Sequence, residues 1–377
     1  MALGNILCWC FLPILAVLAA FYAQYYFNYW NFMDFGKHIY NHYPGPCRVV
    51  EGIEYGAEKI IVLPSGLAVL TSGIQLPGRN MTWVERPGVY MFDFNKPWQN
   101  VTRFAFTSNY DAKGFNPHGV AFFENPRTGK LSIFLVNHHP EGDRIEIFDV
   151  DFVNSRLHFR KYVKHPILYN VNDIAPTGEA SFYATIDQYS TSGRGKMLEM
   201  FGFLSWGRLV HFDGKNAKIV AEDLNYPNGI TITSDKRFIL VAEFLGQHVV
   251  VFETRKDGSL YLQRRINTHS HIDNIELDHD TGDMWIGSHP ILHRIFSLKK
   301  GPKAPPSQVL RIRYDPWVDS EAEIHEVFMD DGQLVMGSSA AAHWKGKLLV
   351  GSVFERLVYC DIITPYQGSS INDRWNH

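Results

Sequence analysis

Short alternations of hydrophobic and polar residues make up most of the chain after residue 50. Gly, Pro, Asn and Asp separate these runs and helical periodicity is scarce, which indicates an all-β fold. Six segments repeat a turn followed by a short apolar strand, with turn residues at Gly66, Gly129, Gly178, Asp235, Gly282 and Gly346. The mean interval is about 56 residues, and repeats of about 40–50 residues are typical of β-propellers with four strands per blade. We therefore predict a six-bladed β-propeller.

The N-terminal pattern is different, because residues 6–23 are almost purely apolar and no charged residue precedes Asp34. Tyr and Trp residues follow, as they do at membrane interfaces. About 20 apolar residues span a bilayer, so the pattern predicts a transmembrane signal anchor, with a cleaved signal peptide as the alternative. The predicted organisation is a short tail (1–5), an anchor (6–27), a membrane-proximal segment (28–46), a propeller (47–361) and a polar C-terminal tail (362–377).

Two glycosylation sequons, at Asn80 and Asn100, bear on the location of the propeller. Chance sequons are common, but together with the apolar leader they favour a lumenal or extracellular domain. The chain is therefore expected to be a single-pass type II membrane protein of the endoplasmic reticulum, the cell surface or both. Outside the apolar segment the only cysteines are Cys47 and Cys360. In an oxidising compartment they would form a disulfide, and two buried thiols are the alternative.

Residues with side-chain oxygens recur shortly before five of the six turns. They are Glu58, Asn116, Asn172, Asp173, Asn228, Asp273 and Asn274. If each begins the innermost strand of a blade, all converge at one end of the central channel. Carboxylate and amide oxygens without cysteine suit a hard cation such as Ca²⁺. The alternative is that Asn and Asp simply end loops here.

These motifs resemble those of the serum paraoxonase family from about residue 45 to residue 361. The segments FNPHGV, VNH, NDI, NGI and KGKLL recur in the family's order and at similar spacing. The resemblance implies a six-bladed propeller with two calcium ions in its channel and a disulfide that joins its ends. It also implies an uncleaved leader that binds lipid, and hydrolysis of lactones, aryl esters and some phosphotriesters.

The resemblance also assigns roles to individual residues. The catalytic calcium would be held by Glu58, Asn172, Asn228, Asp273 and Asn274. His118 and His138 match the family's histidine dyad, in which the first histidine activates water. His289 matches a histidine of the substrate pocket, and Cys47 and Cys360 match the disulfide.

One position departs from the family pattern. The second, structural calcium of the family has an acidic ligand directly after the position of Glu58, where this chain has Lys59. An ammonium group has no lone pair with which to bind calcium. Asp173, the other acidic ligand of that ion, is present. We therefore predict that Lys59 pairs with Asp173 and that the chain holds one calcium ion.

Two functions are compatible with the sequence. The leader resembles that of a membrane-anchored nematode branch of the family, in which one member is an accessory subunit and assembly factor of degenerin-type sodium channels in touch neurons. This likeness favours an accessory or chaperone protein for such a channel. The complete catalytic ligand set favours the alternative, a calcium-dependent lactonase or arylesterase. No GxSxG or HExxH motif indicates other chemistry, and the net charge of −3 argues against nucleic acid as a partner.

Overall fold

The computed structural model describes residues 2–53, 55–75, 87–256, 258–297, 301–318 and 320–363. Within them the strands form six sheets. Five sheets have four antiparallel strands, and the sixth has a fifth strand that pairs parallel at its edge. The innermost strands of successive sheets contact each other in a closed ring. The predicted six-bladed β-propeller is therefore confirmed.

Strand β1 (Cys47–Val49) belongs to the last blade. From the channel outwards, the first blade contains β2 (Lys59–Val62), β3 (Leu67–Ser72), β4 (Gly88–Asp93) and β5 (Thr102–Arg103). In the same order, the second contains β7 (Pro117–Glu124), β8 (Leu131–Asn137), β9 (Arg144–Asp151) and β10 (Arg156–Val163), with β6 (Ala105–Phe106) parallel at the edge, and the third contains β11 (Val171–Pro176), β12 (Phe182–Ile186), β13 (Gly207–Phe212) and β14 (Ala217–Leu224).

The other three blades follow the same order. The fourth blade contains β15 (Pro227–Ile232), β16 (Phe238–Glu243), β17 (His248–Thr254) and β18 (Leu260–Asn267). The fifth contains β19 (His271–Leu277), β20 (Met284–His289), β21 (Ser307–Arg313) and β22 (Glu323–Asp330). The sixth contains β23 (Met336–Trp344), β24 (Lys347–Glu355), β25 (Val358–Asp361) and β1. Each of the six predicted turns precedes the second strand of a blade. Apolar side chains such as Phe134 and Phe182 pack between neighbouring sheets.

The last blade closes the ring by combining both ends of the propeller. β1 pairs with β25, and Cys47 lies directly opposite Cys360 in this pairing. The two cysteines form a disulfide between positions 313 residues apart. The predicted pairing is therefore present.

Among the described residues, three α-helices and a 3₁₀ turn (Gly301–Lys303) accompany the sheets: α1 (Ala2–Phe32), α2 (Gly193–Phe201) and α3 (Leu292–Ser297). Residues Phe11–Phe32 of α1 are long and apolar enough to cross a membrane. The helix runs five residues past the predicted end of the anchor at residue 27. Asn100 is exposed, as a glycosylation site must be, whereas Asn80 lies outside the described residues.

Candidate active site

β-bulges shape the inner strands at the positions where ligands are predicted. The pairing of β11, β15 and β19 with the next strand shifts across the steps that carry Asn172–Asp173, Asn228–Gly229 and Asp273–Asn274. A bulge places an extra residue on one strand and redirects its side chains. Repeated around the ring, this irregularity allows the polar residues of these steps to face the channel.

Glycines let the inner strands approach each other closely at the same level. A Cβ atom on Gly229 would lie 2.6 Å from the Cα atom of Asn274, and one on Gly119 would lie 2.3 Å from Oδ1 of Asp173. Both contacts are far shorter than a van der Waals contact. Glycine at these positions therefore brings neighbouring blades together around the polar side chains.

The five predicted calcium ligands meet at one end of the channel. Nδ2 of Asn274 donates to Oε1 of Glu58 at 2.8 Å and lies 3.3 Å from Oδ1 of Asp273. Asn172 and Asn228 line the same cavity as Glu58 and Asp273. None of the five is more than 7% exposed. The side chain of Asn116 stays apart from this group and accepts a hydrogen bond from the backbone of Gln75.

Four of the five residues have a buried oxygen atom without a hydrogen-bond partner. These atoms are Oε2 of Glu58 and the Oδ1 atoms of Asn172, Asn228 and Asn274. Buried polar atoms are almost always hydrogen-bonded, so four such acceptors in one place indicate a cation. In the described part of the chain, no three His, Cys, Asp or Glu side chains form a metal-binding group. Three of the four unpartnered atoms are amide oxygens, so amides would supply most of the ligands of an ion held here.

A cavity of about 140 Å³ opens above these oxygens. His118 and His289 line it on the polar side, and Nε2 of His289 lies 2.9 Å from Oδ2 of Asp273. Apart from Asp187, the remaining wall is mostly apolar and consists of Met200, Tyr226, Phe244, Leu292, Ile295, Phe296, Val353 and Phe354. A small molecule with a polar reactive group and a hydrocarbon part would fit these surroundings.

The two histidines of the predicted dyad are hydrogen-bonded to each other. Nδ1 of His118 and Nε2 of His138 are 2.8 Å apart, and Nε2 of His118 lies 3.4 Å from Oε1 of Glu58. Burial disfavours the charged form of His118, but the Glu58 carboxylate outweighs it and raises the pKa of His118. Burial opposes the charge of Glu58 as well, yet His118 and the Asn274 amide lower the pKa of Glu58 overall.

Two acidic residues that the sequence analysis did not select lie beside the dyad. Asp143 Oδ1 is 2.9 Å from Nδ1 of His138, and Asp187 lines the cavity with its Oδ1 atom unpartnered. Asp143 belongs to the turn GluGlyAsp, which looks like an ordinary surface connection. Asp187 follows an apolar strand, and the recurrence of acidic residues at strand ends was the only available signal for it.

Lys59 and Asp173 lie deeper in the channel and form a buried ion pair. The Lys59 ammonium is 2.8 Å from Oδ2 of Asp173 and 3.2 Å from the carbonyl oxygen of Ile275. Burial alone would lower the pKa of Lys59, but the carboxylates of Asp173 and Glu276 raise it. Burial also raises the pKa of Glu276 to about 7. The ammonium therefore lies where the sequence analysis placed it.

The end of α1 packs against the elements that surround the cavity. The ring of Phe32 contacts those of Phe203 and His271, at centroid distances of 5.0 and 5.8 Å. Asp34 is buried and lies 3.1 Å from Nε2 of His271, at the start of the strand that carries Asp273. The mouth of the cavity is thus next to the end of the apolar helix.

Paired histidines and clustered oxygens in a propeller channel agree with the sequence comparison. The chain belongs to the Arylesterase family, whose profile matches residues 41–362.

Similar proteins come from vertebrates. Human serum paraoxonase/arylesterase 1 is 32% identical over 318 residues, which cover 84% of this chain and 88% of the human protein. Rabbit serum paraoxonase/lactonase 3 is 33% identical over 84% of this chain and 89% of the rabbit protein. Among solved structures, a gluconolactonase from Xanthomonas campestris shares the fold, with a TM-score of 0.52 and 15% identity over 84% of this chain and 89% of that one.

Proposed function

We propose that this protein is a calcium-dependent hydrolase of lactones and aryl esters that its N-terminal helix holds at a membrane. The observation that supports it most strongly is the group of four buried, unpartnered oxygens beside a hydrogen-bonded histidine pair. Calcium binds six to eight oxygen ligands, so it would satisfy these atoms together. The names of the relatives, which are arylesterases and lactonases, agree with this chemistry.

The residues that would hold the ion are Glu58, Asn172, Asn228, Asp273 and Asn274. A calcium ion bound there would polarise the carbonyl group of an ester or lactone. His289 keeps the Asp273 carboxylate in place through its 2.9 Å contact. The apolar wall of the cavity accommodates the hydrocarbon part of the substrate and excludes water from it.

His118 acts as the general base. It takes one proton from a water molecule while the water oxygen bonds to the carbonyl carbon of the substrate. The bond between that carbon and the leaving oxygen then breaks, and the leaving oxygen receives the proton. In a lactone this step opens the ring, and in an aryl ester it releases a phenol.

We further propose that the channel holds one calcium ion. The Lys59 ammonium neutralises Asp173, and both side chains are at most 3% exposed. A second cation beside this ammonium would meet direct charge repulsion in a poorly solvated channel. The ion pair therefore takes the place of the second calcium that the family resemblance implies.

The proposed topology is a single-pass type II membrane protein with the propeller in the lumen or outside the cell. The disulfide and the exposed sequon at Asn100 suit an oxidising compartment. The anchor is α1, in which residues 11–28 are all exposed. Asn80 and Asn100 would carry glycans.

The accessory role for a degenerin-type channel stays a prediction. The likeness of the leader favours it, but the cluster of unpartnered oxygens and the dyad favour the hydrolase. A scaffold would have no need of a general base beside a cation site. We therefore keep hydrolysis as the function and the channel role as the competing outcome of its test.

The test is hydrolysis of a lactone and of an aryl ester by the purified full-length protein in detergent. We expect activity with calcium that is lost with a chelator, and a His118→Gln rate lower by about 10²–10⁴-fold. His158 is exposed on an outer strand, so His158→Gln is a matched control that keeps the wild-type rate. Absence of hydrolysis, or a rate that His118→Gln leaves unchanged, would overturn the proposal in favour of a binding role.

A further inference from the structure

We propose that Asp143 is a positioning residue for the reaction, which makes Asp143, His138 and His118 a continuous hydrogen-bonded relay that ends at the cavity. This inference rests on the proposed hydrolase function. It assigns a role to a carboxylate that lies outside the cavity.

The three side chains are joined end to end. Oδ1 of Asp143 is 2.9 Å from Nδ1 of His138, whose Nε2 is 2.8 Å from Nδ1 of His118. The side chains of His138 and Asp143 are only 16% and 14% exposed. Each ring nitrogen used by the relay therefore faces one defined partner, and the remaining Nε2 of His118 faces the cavity side near Glu58.

The backbone holds the Asp143 carboxylate in a fixed orientation. Its Oδ2 atom accepts a hydrogen bond of 2.9 Å from the amide of Val171 in the next blade. On the other side, Gly142 has a φ of 109°, a conformation that favours glycine and turns the chain directly before Asp143. One oxygen is thus used for support and the other for His138.

This arrangement selects the tautomers that the reaction needs. A carboxylate only accepts hydrogen bonds, so Nδ1 of His138 must carry the proton and its Nε2 must be an acceptor. Nδ1 of His118 then donates to that acceptor, so Nε2 carries no proton when His118 is neutral. A cation held by Glu58 would offset the carboxylate that lies 3.4 Å from Nε2 and that otherwise favours the charged ring. This is the orienting role that a buried carboxylate has in catalytic triads.

The relay also accommodates the charge that forms during the reaction. When Nε2 of His118 takes a proton from water, its Nδ1 proton can move to Nε2 of His138. His118 is then neutral again, and the positive charge lies on His138 beside the Asp143 carboxylate. The proton count is unchanged, and the ion pair forms at the far end of the relay from the substrate.

Asp187 is the rival for this role, because it is a second buried carboxylate near the dyad. Its Oδ1 atom has no hydrogen-bond partner, and no hydrogen bond joins its described side chain to His118 or His138. Asp143 makes the direct contact. The geometry therefore assigns the positioning of His138 to Asp143.

The experiment measures kcat, KM and the calcium Kd of full-length variants. Asn at position 143 can donate to Nδ1 of His138 and stabilise the wrong tautomer, so Asp143→Asn should lower kcat by about 10²-fold or more. KM and the calcium Kd should stay within about twofold, since Asp143 contacts neither substrate nor ion. Glu141→Gln is the matched control in the same turn, because Glu141 is exposed and pairs with Arg144.

A double variant separates the relay from a general structural effect. If Asp143 acts through His138, Asp143→Asn should cost little further activity once His138→Gln is present. An undiminished effect in that background, a weakened calcium affinity that accounts for the loss, or a rate equal to that of Glu141→Gln would overturn this inference alone. Absence of hydrolysis by the wild-type protein would overturn the proposed function and this inference with it.

Discussion

Lys59 lies in the channel with its ammonium 2.8 Å from Asp173, and both groups are almost completely removed from solvent. Asp173 also accepts a hydrogen bond of 2.9 Å from the amide of Ile230, so the pair links three inner strands. Two buried opposite charges stabilise a fold modestly while both are present. Removal of one charge leaves the other buried without a partner, and the fold then loses much more stability than the pair contributed.

We therefore expect Lys59→Ala to lower the free energy of unfolding by roughly 3–5 kcal/mol, because Asp173 would stay buried without a partner. Thermal or denaturant unfolding measures the change. Lys130→Ala is the control, since Lys130 also pairs with an aspartate but its side chain is 59% exposed. Exposed pairs contribute at most about 1 kcal/mol. Equal effects of the two substitutions would contradict the role given to the buried pair.

Lys59→Asp tests the proposed replacement of an ion by an ammonium group. Two neighbouring carboxylates, at positions 59 and 173, would supply oxygens in place of the positive charge. Calcium titration of this variant should give two bound ions per chain, against one in the wild-type protein. One bound ion in both proteins would show that Lys59 does not determine how many calcium ions the channel binds.

At the scale of secondary-structure elements, the close approach of inner strands places the ligands. A Cβ atom at position 229 would lie 2.6 Å from Asn274 Cα and 2.8 Å from the Asp273 carbonyl oxygen. Gly229→Ala should therefore push β15 from β19, lower the free energy of unfolding by about 1–3 kcal/mol and weaken calcium binding. Calorimetry measures both quantities.

Gly193 provides the control for this prediction. It lies at the start of α2, and a Cβ atom there would meet nothing within 4 Å. Gly193→Ala should leave stability and calcium affinity nearly unchanged. If Gly229→Ala behaves in the same way, the close approach of β15 and β19 at Gly229 does not position the ligands.

The elements differ in how far the sequence could predict them. The second strand of each blade was predictable, because a turn residue such as Gly66 or Gly346 precedes a short apolar run that is locally recognisable. The bulges at Asn172 and Asp273 were not, since they depend on the register with a neighbouring strand. Asp143 was not predictable for a similar reason, because its role depends on the Val171 amide, which lies 28 residues further along the chain.

At the scale of the whole molecule, closure of the ring depends on the pairing of β1 with β25. The disulfide between Cys47 and Cys360 spans 313 residues, so it removes the loop-closure entropy of a long loop from the unfolded chain. Cys47→Ser should lower the free energy of unfolding by about 2–5 kcal/mol. Cys47→Ser combined with Cys360→Ser should cost no more than the single change. A melting temperature unaffected by either would contradict this role.

The anchor and the propeller also form one unit at this scale. Tyr25 donates a hydrogen bond of 3.0 Å to the carbonyl of Phe201, and Phe32 packs on Phe203. The same apolar cluster includes Phe244 and Leu292, which line the cavity. The site should therefore be measured in the full-length protein, because a propeller without α1 would lack part of the apolar cluster around the cavity.

The central claim is that the oxygens at the channel mouth hold one calcium ion on which hydrolysis depends. The direct measurement is a calcium titration of chelator-treated, full-length protein, with bound calcium and lactone hydrolysis followed in the same samples. We predict one ion per chain, and activity that rises in proportion to occupancy. Asn228→Ala, which removes one unpartnered oxygen, should shift both curves to higher calcium together. Hydrolysis that does not change with calcium occupancy, or the absence of bound calcium, would contradict the account.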